Sequence, residues 1–425
     1  MRRTTITAAI ATTAATALIL TGCGRPDADE APAASAEEVS FDDLSGDIEV
    51  WAMGAEGEAL PALADAFMEE HPDTSITVTP VPWDAAYDRF SNAITAGSTP
   101  DAAMVGTTWM GDFAGQGALE PTPPSFDDSQ YFEGAQATTE VDGITYGLPW
   151  YVETRMVYYR TDIAAAAGYD EVPADWAGFQ EMAAAMQQQD GVEWGMNLQP
   201  GGTGGWQTVL PLAWSNGAEI ATDDAYALDT PEMVEATEYF QGFFDDGIAD
   251  PNPPEGQTEA DFVSGRIPMF LSGPWMMSIV EELGGEGFDE LYDVAPVPAN
   301  DGAESVSFVG GSNLAVFQET ENRDLAWAFV DYLTQPEVQV EWYELTSALP
   351  SVQSAWDEPV LADDARLSAF GTELETAVAP PSFPSWEQVA TELDQALERV
   401  AKAGEDPAEA LAGVQAEAED IGTGQ

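Results

Sequence analysis

The residues able to do chemistry gather in four loops rich in glycine and tryptophan. These are Gly147-Leu148-Pro149-Trp150-Tyr151-Val152-Glu153-Thr154-Arg155, Gly201-Gly202-Thr203-Gly204-Gly205-Trp206, Gly273-Pro274-Trp275 and Gly310-Gly311-Ser312-Asn313. An indole offers a flat apolar face that stacks on the C–H side of a pyranose ring, while carboxylates, Arg and Gln hydrogen-bond its hydroxyls. A micromolar site needs only about −8 kcal/mol, within reach of a few stacked rings and charge-assisted bonds. Glycine runs before helices expose backbone N–H groups, and with no lysine nearby they suit neutral hydroxyls better than phosphate. The candidate ligand residues are Trp275, Trp206, Trp150, Trp109, Trp83, Glu56, Glu153, Tyr151, Arg155, Gln199, Gly311 and Ser312. Trp51, Trp194, Trp214, Trp327 and Trp342 fall on helices or strands and are expected in the core.

Other chemistries lack their residues. The 425-residue chain has 11 Lys+Arg against 77 Asp+Glu, a formal charge of −66. Nucleic-acid binding rests on Lys and Arg neutralising phosphates, so it is excluded. The only lysine, Lys402, lies in no glycine-rich phosphate loop, which excludes a P-loop NTPase. One histidine, His71, gives no partner for a His-based metal cluster or a Ser-His-Asp centre, and one cysteine, Cys23, allows no internal disulfide. Asp245, Asp246 and Asp250 lack the spacing and final Glu of an EF-hand and read as a turn. No metal or other cofactor is implied. Glu56 and Glu153 could form the paired carboxylates of a glycan-active enzyme, which is the alternative function.

The elements that must position these loops read as α/β. A strand at Ile48–Trp51, a helix at Glu58–His71, a strand at 75–79, a helix from Asp84 to Gly97, a strand at Asp101–Val105 and a helix at Met110–Gly115 argue for a parallel sheet covered by helices. A strand-rich crossing at Tyr146–Tyr159 leads to a second series. It holds a helix over Asp175–Gln189, a strand over Val192–Leu198, a helix over Gly205–Asn216 and a helix from Pro231 to Phe244. A strand at Ile267–Leu271, a helix opened by Pro274 and a strand with loop over Val306–Phe317 come next. The remainder is mainly helical, with a last helix from Asp406-Pro407. Two lobes, each a sheet flanked by helices, then leave a ligand cleft between them. Lobe 1 is expected over 47–151 with about 311–355, and lobe 2 over 152–310 with about 356–425. Closure is expected to turn on the crossings near Trp150–Val152 and Val309–Ser312.

The N-terminus reads as a lipoprotein signal peptide over residues 1–22. Arg2-Arg3 precede an apolar run from Thr7 to Leu20, too short for a membrane span of about 20 residues. Leu20-Thr21-Gly22-Cys23 resembles the bacterial lipobox, which implies acylation of Cys23 and a chain held on the outer face of the cytoplasmic membrane. Residues 23–46, rich in Ala, Pro, Asp and Glu, read as a disordered acidic tether.

Three longer stretches carry a family resemblance: Asp142–Glu153, Gly265–Trp275, and Gly310–Val316 followed by Asn322–Asp331. In this order, behind a lipobox, they resemble a family 1 extracellular solute-binding protein, the sugar receptor of an ATP-binding-cassette importer, over about residues 47–400. The resemblance implies two hinged lobes that close on one sugar and present the closed form to permease subunits. It also implies that Trp275 stacks on the ligand and Glu153 hydrogen-bonds it. In maltodextrin receptors the second-lobe loop carries an acid and a tyrosine; the matching stretch here is Gln199-Pro200-Gly201-Gly202, so that contact differs. A di- or oligosaccharide is expected, bound by a monomer.

The charge itself has a testable consequence. Self-repulsion on this scale opposes the compact state unless salt screens it, with the Debye length falling from about 10 Å at 0.1 M to about 3 Å at 1 M. The melting temperature should therefore rise with NaCl up to molar concentrations. Equal stability at low and molar salt would show that the acidic surface is not an adaptation to a saline medium.

Overall fold

The computed structural model describes residues 38–222, 224–254, 256–300 and 304–424. The expected signal peptide, Cys23 and most of the expected tether lie outside them. Where the tether is described, it is packed: Val39 and Leu44 lie on the core, Phe41 meets Phe126 edge-on, and the first strand begins at Gly46. No described helix is long and apolar enough to cross a membrane.

Among the described residues, eleven strands organise the fold. They are β1 (Gly46–Met53), β2 (Thr74–Val81), β3 (Ala102–Gly106), β4 (Glu140–Val141), β5 (Ile144–Thr145), β6 (Leu148–Glu153), β7 (Met156–Arg160), β8 (Met269–Ser272), β9 (Tyr292–Ala295), β10 (Gly310–Val316) and β11 (Leu349–Pro350). The main sheet runs β11-β6-β10-β3-β1-β2, a second sheet runs β8-β7-β9, and β4-β5 form a ribbon. Apolar residues fill three buried clusters. The first, around Phe67, Phe90, Trp150, Trp327 and Trp342, packs the main sheet against its helices. The second, around Phe240, Phe243, Trp386 and Leu411, lies among the helices that follow β7 and the C-terminal helices. The third, with Tyr158, Phe262, Phe270 and Phe370, lies against β7 and β8 and includes Val152 of β6.

The α/β character matches the expectation, but the strand directions correct it. Only β1, β2 and β3 pair in parallel; β10 runs against both β3 and β6, so β6 shares the direction of β1–β3, and β7 pairs antiparallel with both β8 and β9. The reason lies in the return crossing, since β10 comes back from the second sheet and enters the main sheet between β3 and β6 against their direction. The helix expected over Glu58–His71 is two, Gly54–Ala59 and Pro61–Glu70, because Pro61 opens a new helix at its first position. Asp84 lies in the first turn of Trp83–Ala96 and does not cap it. No strand forms over Val192–Leu198. Gly195 and Asn197 instead donate to the carbonyls of Ile248 and Met269, so the segment divides its bonds between two partners. Asp175, Thr230 and Asp406 cap their helices, each accepting a backbone N–H of the first turn. Arg160 pairs with Asp162 through two bonds of 2.9 and 2.8 Å.

Two buried carboxyls tie the C-terminal helices to the rest. Asp394, on the helix Trp386–Ala403, accepts the N–H groups of Gly204 and Trp206 at 2.8 Å each and so anchors the start of the helix Trp206–Ser215. Glu373 accepts the Ser305 hydroxyl at 2.9 Å. Burial pushes Asp394 up to about 6 from 3.8 and Glu373 up to about 7 from 4.5. The folded state therefore keeps these protons at pH values where the unfolded chain has lost them. Their contribution is complete below the unfolded values and is lost as pH rises through about 6 and about 7. Melting curves should show a higher melting temperature at about pH 5 than at about pH 8, with Glu373→Gln flattening the difference. A variant profile that overlays the wild type would mean Glu373 titrates like an exposed acid.

Candidate functional site

A cavity of about 1070 Å³ opens beside the ends of β1, β3 and β6. Four tryptophans line it, and three of them, Trp83, Trp109 and Trp275, lie against a glycine. A Cβ on Gly54 would sit 2.4 Å from the Trp83 ring, one on Gly273 would sit 2.1 Å from the Trp275 ring, and Gly106 lies under Trp109. Trp83 is 42% exposed and meets Trp109 edge-on at 6.1 Å. Trp275 occupies the N-cap position of the helix Met276–Gly284, at the end of β8. The alternation of β6 turns Tyr151 and Glu153 toward the cavity while Trp150 points the other way.

Electrostatics at the floor are set by burial. The Glu56 carboxyl is pushed up by burial, opposed by its own backbone N–H and by the side chains of Trp83 and Tyr151. Glu153 is likewise raised by burial, against the pull of Arg155. Tyr151 is held well above its ordinary value by burial and by Glu56. Arg155 does not line this cavity but stands behind it. It pairs with Glu153, donates to Gln207 Oε1 at 2.6 Å, and lies over the Trp275 ring at 4.8 Å and the Phe308 ring at 5.0 Å. One cation thus holds a carboxylate, an amide and an indole in fixed relation.

Eight of the twelve sequence candidates line the cavity: Glu56, Trp83, Trp109, Tyr151, Glu153, Trp206, Trp275 and Gly311. Trp206 lines it while buried edge-on against Phe308 and Trp386. Trp150 is a correction. Its side chain is 0% exposed and stacks on Trp342 at 4.5 Å inside the core, so it presents no face to a ligand. Ser312 is buried outside the lining, with its hydroxyl 3.5 Å from that of Tyr151. Gln199 bonds the carbonyls of Gly201 and Thr203 and, with Arg155, lines an adjoining cavity of about 820 Å³ that shares Trp275 and Gln207 with the first. Of the tryptophans expected in the core, Trp51, Trp214, Trp327 and Trp342 are buried and Trp194 is half-buried.

Sequence reasoning missed the wall formed by the helix Trp386–Ala403. Glu387, Thr391, Asp394, Gln395 and Glu398 recur at helical spacing and face the cavity, while Val389, Leu393, Leu397 and Val400 face the core. That amphipathic stripe was the available signal. Gln207, Thr107, Thr108 and the turn Thr346–Ala348 also line the cavity and carried no motif. The arrangement offers flat apolar faces beside carboxylates, an amide and hydroxyls, which fits a polyhydroxylated ring. Among the described residues, no group of three or more His, Cys, Asp and Glu could hold a metal ion.

Known proteins share this architecture. The sugar-binding protein MalE of Xanthomonas citri superposes with a TM-score of 0.83 at 28% identity, over 88% of this chain and 97% of that one. The GacH receptor of Streptomyces glaucescens, solved unliganded and with acarbose, matches with a TM-score of 0.77 at 28% identity, over 89% and 98%. By sequence, the maltotriose-binding protein of Pyrococcus abyssi is 26% identical over 378 residues, 83% of this chain and 78% of that protein. These neighbours are two-lobed binding proteins, and the fold here is of their kind. Residues 52–340 match the family model of the bacterial extracellular solute-binding proteins, and the chain belongs to that family.

Proposed function

We propose that this protein is the carbohydrate receptor of an ATP-driven membrane importer, holding a di- or oligosaccharide in the cavity between Trp83, Trp109 and Trp275. The carrying observation is that three indoles, each against a glycine, share one cavity with Glu56, Glu153 and a polar helix face. Family membership supports binding without turnover, and relatives named for sugars support the ligand class. In this reading Trp275 and Trp83 stack on sugar rings, while Glu56, Glu153, Tyr151 and the Gly310–Gly311 backbone take hydroxyls. Arg155 orients Glu153 and Trp275 from behind. The two lobes comprise 47–151 with about 311–355 and 152–310 with about 356–425, and they close about the crossing strands on a single sugar. Cleavage before Cys23 and acylation of its thiol would leave a monomer on the outer face of the membrane, within reach of permease subunits.

Trp275→Ala tests the site. With a sugar chosen by a thermal-shift screen, titration calorimetry should show a loss of about 1–3 kcal/mol, roughly ten- to a hundredfold in Kd. The ligand-free melting temperature should fall less than for a fully buried tryptophan, whose truncation costs about 3–5 kcal/mol. Near-normal affinity with collapsed stability would make Trp275 a core residue and overturn the assignment.

A further inference from the structure

The cavity is more acidic than its partners can neutralise. Six carboxylates line it, those of Glu56, Asp84, Glu153, Glu387, Asp394 and Glu398, and the described lining contains no Lys, Arg or His. Two have a cation behind them: Arg155 pairs with Glu153, and Lys402 donates to Glu398 at 2.8 Å. Asp394 directs both oxygens to backbone N–H groups. Among the described residues, Glu56, Asp84 and Glu387 make no ion pair with Lys or Arg.

General acidity of the chain does not account for this. Surface acids stay fully hydrated, whereas Glu56 and Glu387 are half-buried, and burial pushes both carboxyls up. Glu56 is held beside Trp83 and Tyr151, and Glu387 beside Thr108, in the same wall as Trp109. Desolvated acids kept without a counter-charge create a field that an entering ligand must meet. A carboxylate or phosphate on that ligand is repelled. An ammonium is attracted, both by the acids and by the indole faces.

We propose that the cleft selects its sugar by charge, accepting neutral and amino-bearing sugars and rejecting uronates and sugar phosphates. The proposal rests on the cleft being a sugar site. In an effective dielectric of about 20, one unpaired like charge at about 8 Å corresponds to about thirtyfold in affinity, and screening leaves about tenfold or more.

The experiment is titration calorimetry with maltose, lactose and cellobiose, each beside its C6 uronate and its 2-amino counterpart. For every neutral sugar that binds, the uronate should bind about tenfold or more weakly and the amino sugar at least as tightly. Raising NaCl from about 0.1 M to about 1 M should narrow both differences. So should the double variant Asp84→Asn, Glu387→Gln, judged by the ratio of uronate to neutral Kd. If that variant fails to fold, the salt series on the native protein carries the same comparison. A uronate that binds as tightly as its neutral parent at low salt overturns the proposal while leaving the sugar site intact. Absence of binding by every member, whatever its charge, overturns the sugar assignment and charge selection with it.

Discussion

The pairing of β6 with β10 is the constraint on which the site depends. These two strands carry the chain to and from the second sheet, and they meet where only glycine fits. Gly311 has φ +113°, and a Cβ there would lie 2.2 Å from the Tyr151 carbonyl oxygen. The register sets Gly310 opposite Glu153 and Ser312 opposite Tyr151, with a shift before Asn313. Tyr151 and Glu153 therefore reach the cavity floor at the point where the main sheet ends. Three residues after Glu153, at Met156, the chain is already in β7, in the other sheet. The pairing that places the polar groups also defines the passage between the two sheets.

A second constraint shapes the walls. The indoles of Trp83 and Trp275 each sit so close to the backbone that a Cβ would not fit beside them. A Cβ on Gly54 would meet the Trp83 ring and one on Gly273 the Trp275 ring, so glycine at both positions leaves room for the indoles. Arg155 adds a cationic contact to the Trp275 ring and ties it to Glu153 and Gln207. Stacking surface and hydrogen-bonding groups are thus fixed relative to one another before any ligand arrives, which lowers the entropy that binding must overcome.

Much of this was legible in the sequence, for identifiable reasons. Trp275 stood out because Gly-Pro-Trp follows an apolar strand and opens a helix, a place where a ring must leave the core. Trp150 shared the Gly/Pro context yet lies in the core, because in an extended strand neighbours point to opposite faces. Tyr151 and Glu153 share one face, so Trp150 has to share the other; applying the two-residue period to β6 would have removed it. Strand direction was not legible, since alternation marks a strand without telling from which side the chain enters the sheet. The acid-rich face of Trp386–Ala403 was visible as an amphipathic pattern, but local spacing does not say what a polar stripe faces. In a chain of −66, one more acidic stripe reads as solvated surface.

The same excess of acids gives the molecule its two electrostatic regimes. Outside, carboxylates repel one another through water and salt screens them. Inside the cleft, burial raises the carboxyls of Glu56, Glu153 and Asp394 and makes their interactions stronger and less screened. A ligand that supplies hydroxyl donors to those acids, and rings to the indoles, has contacts on both walls. It would therefore draw the walls together about the β6–β10 crossing. Small-angle X-ray scattering with and without saturating sugar measures this directly. The account predicts a smaller radius of gyration in the complex, and an unchanged scattering profile at saturation would contradict it.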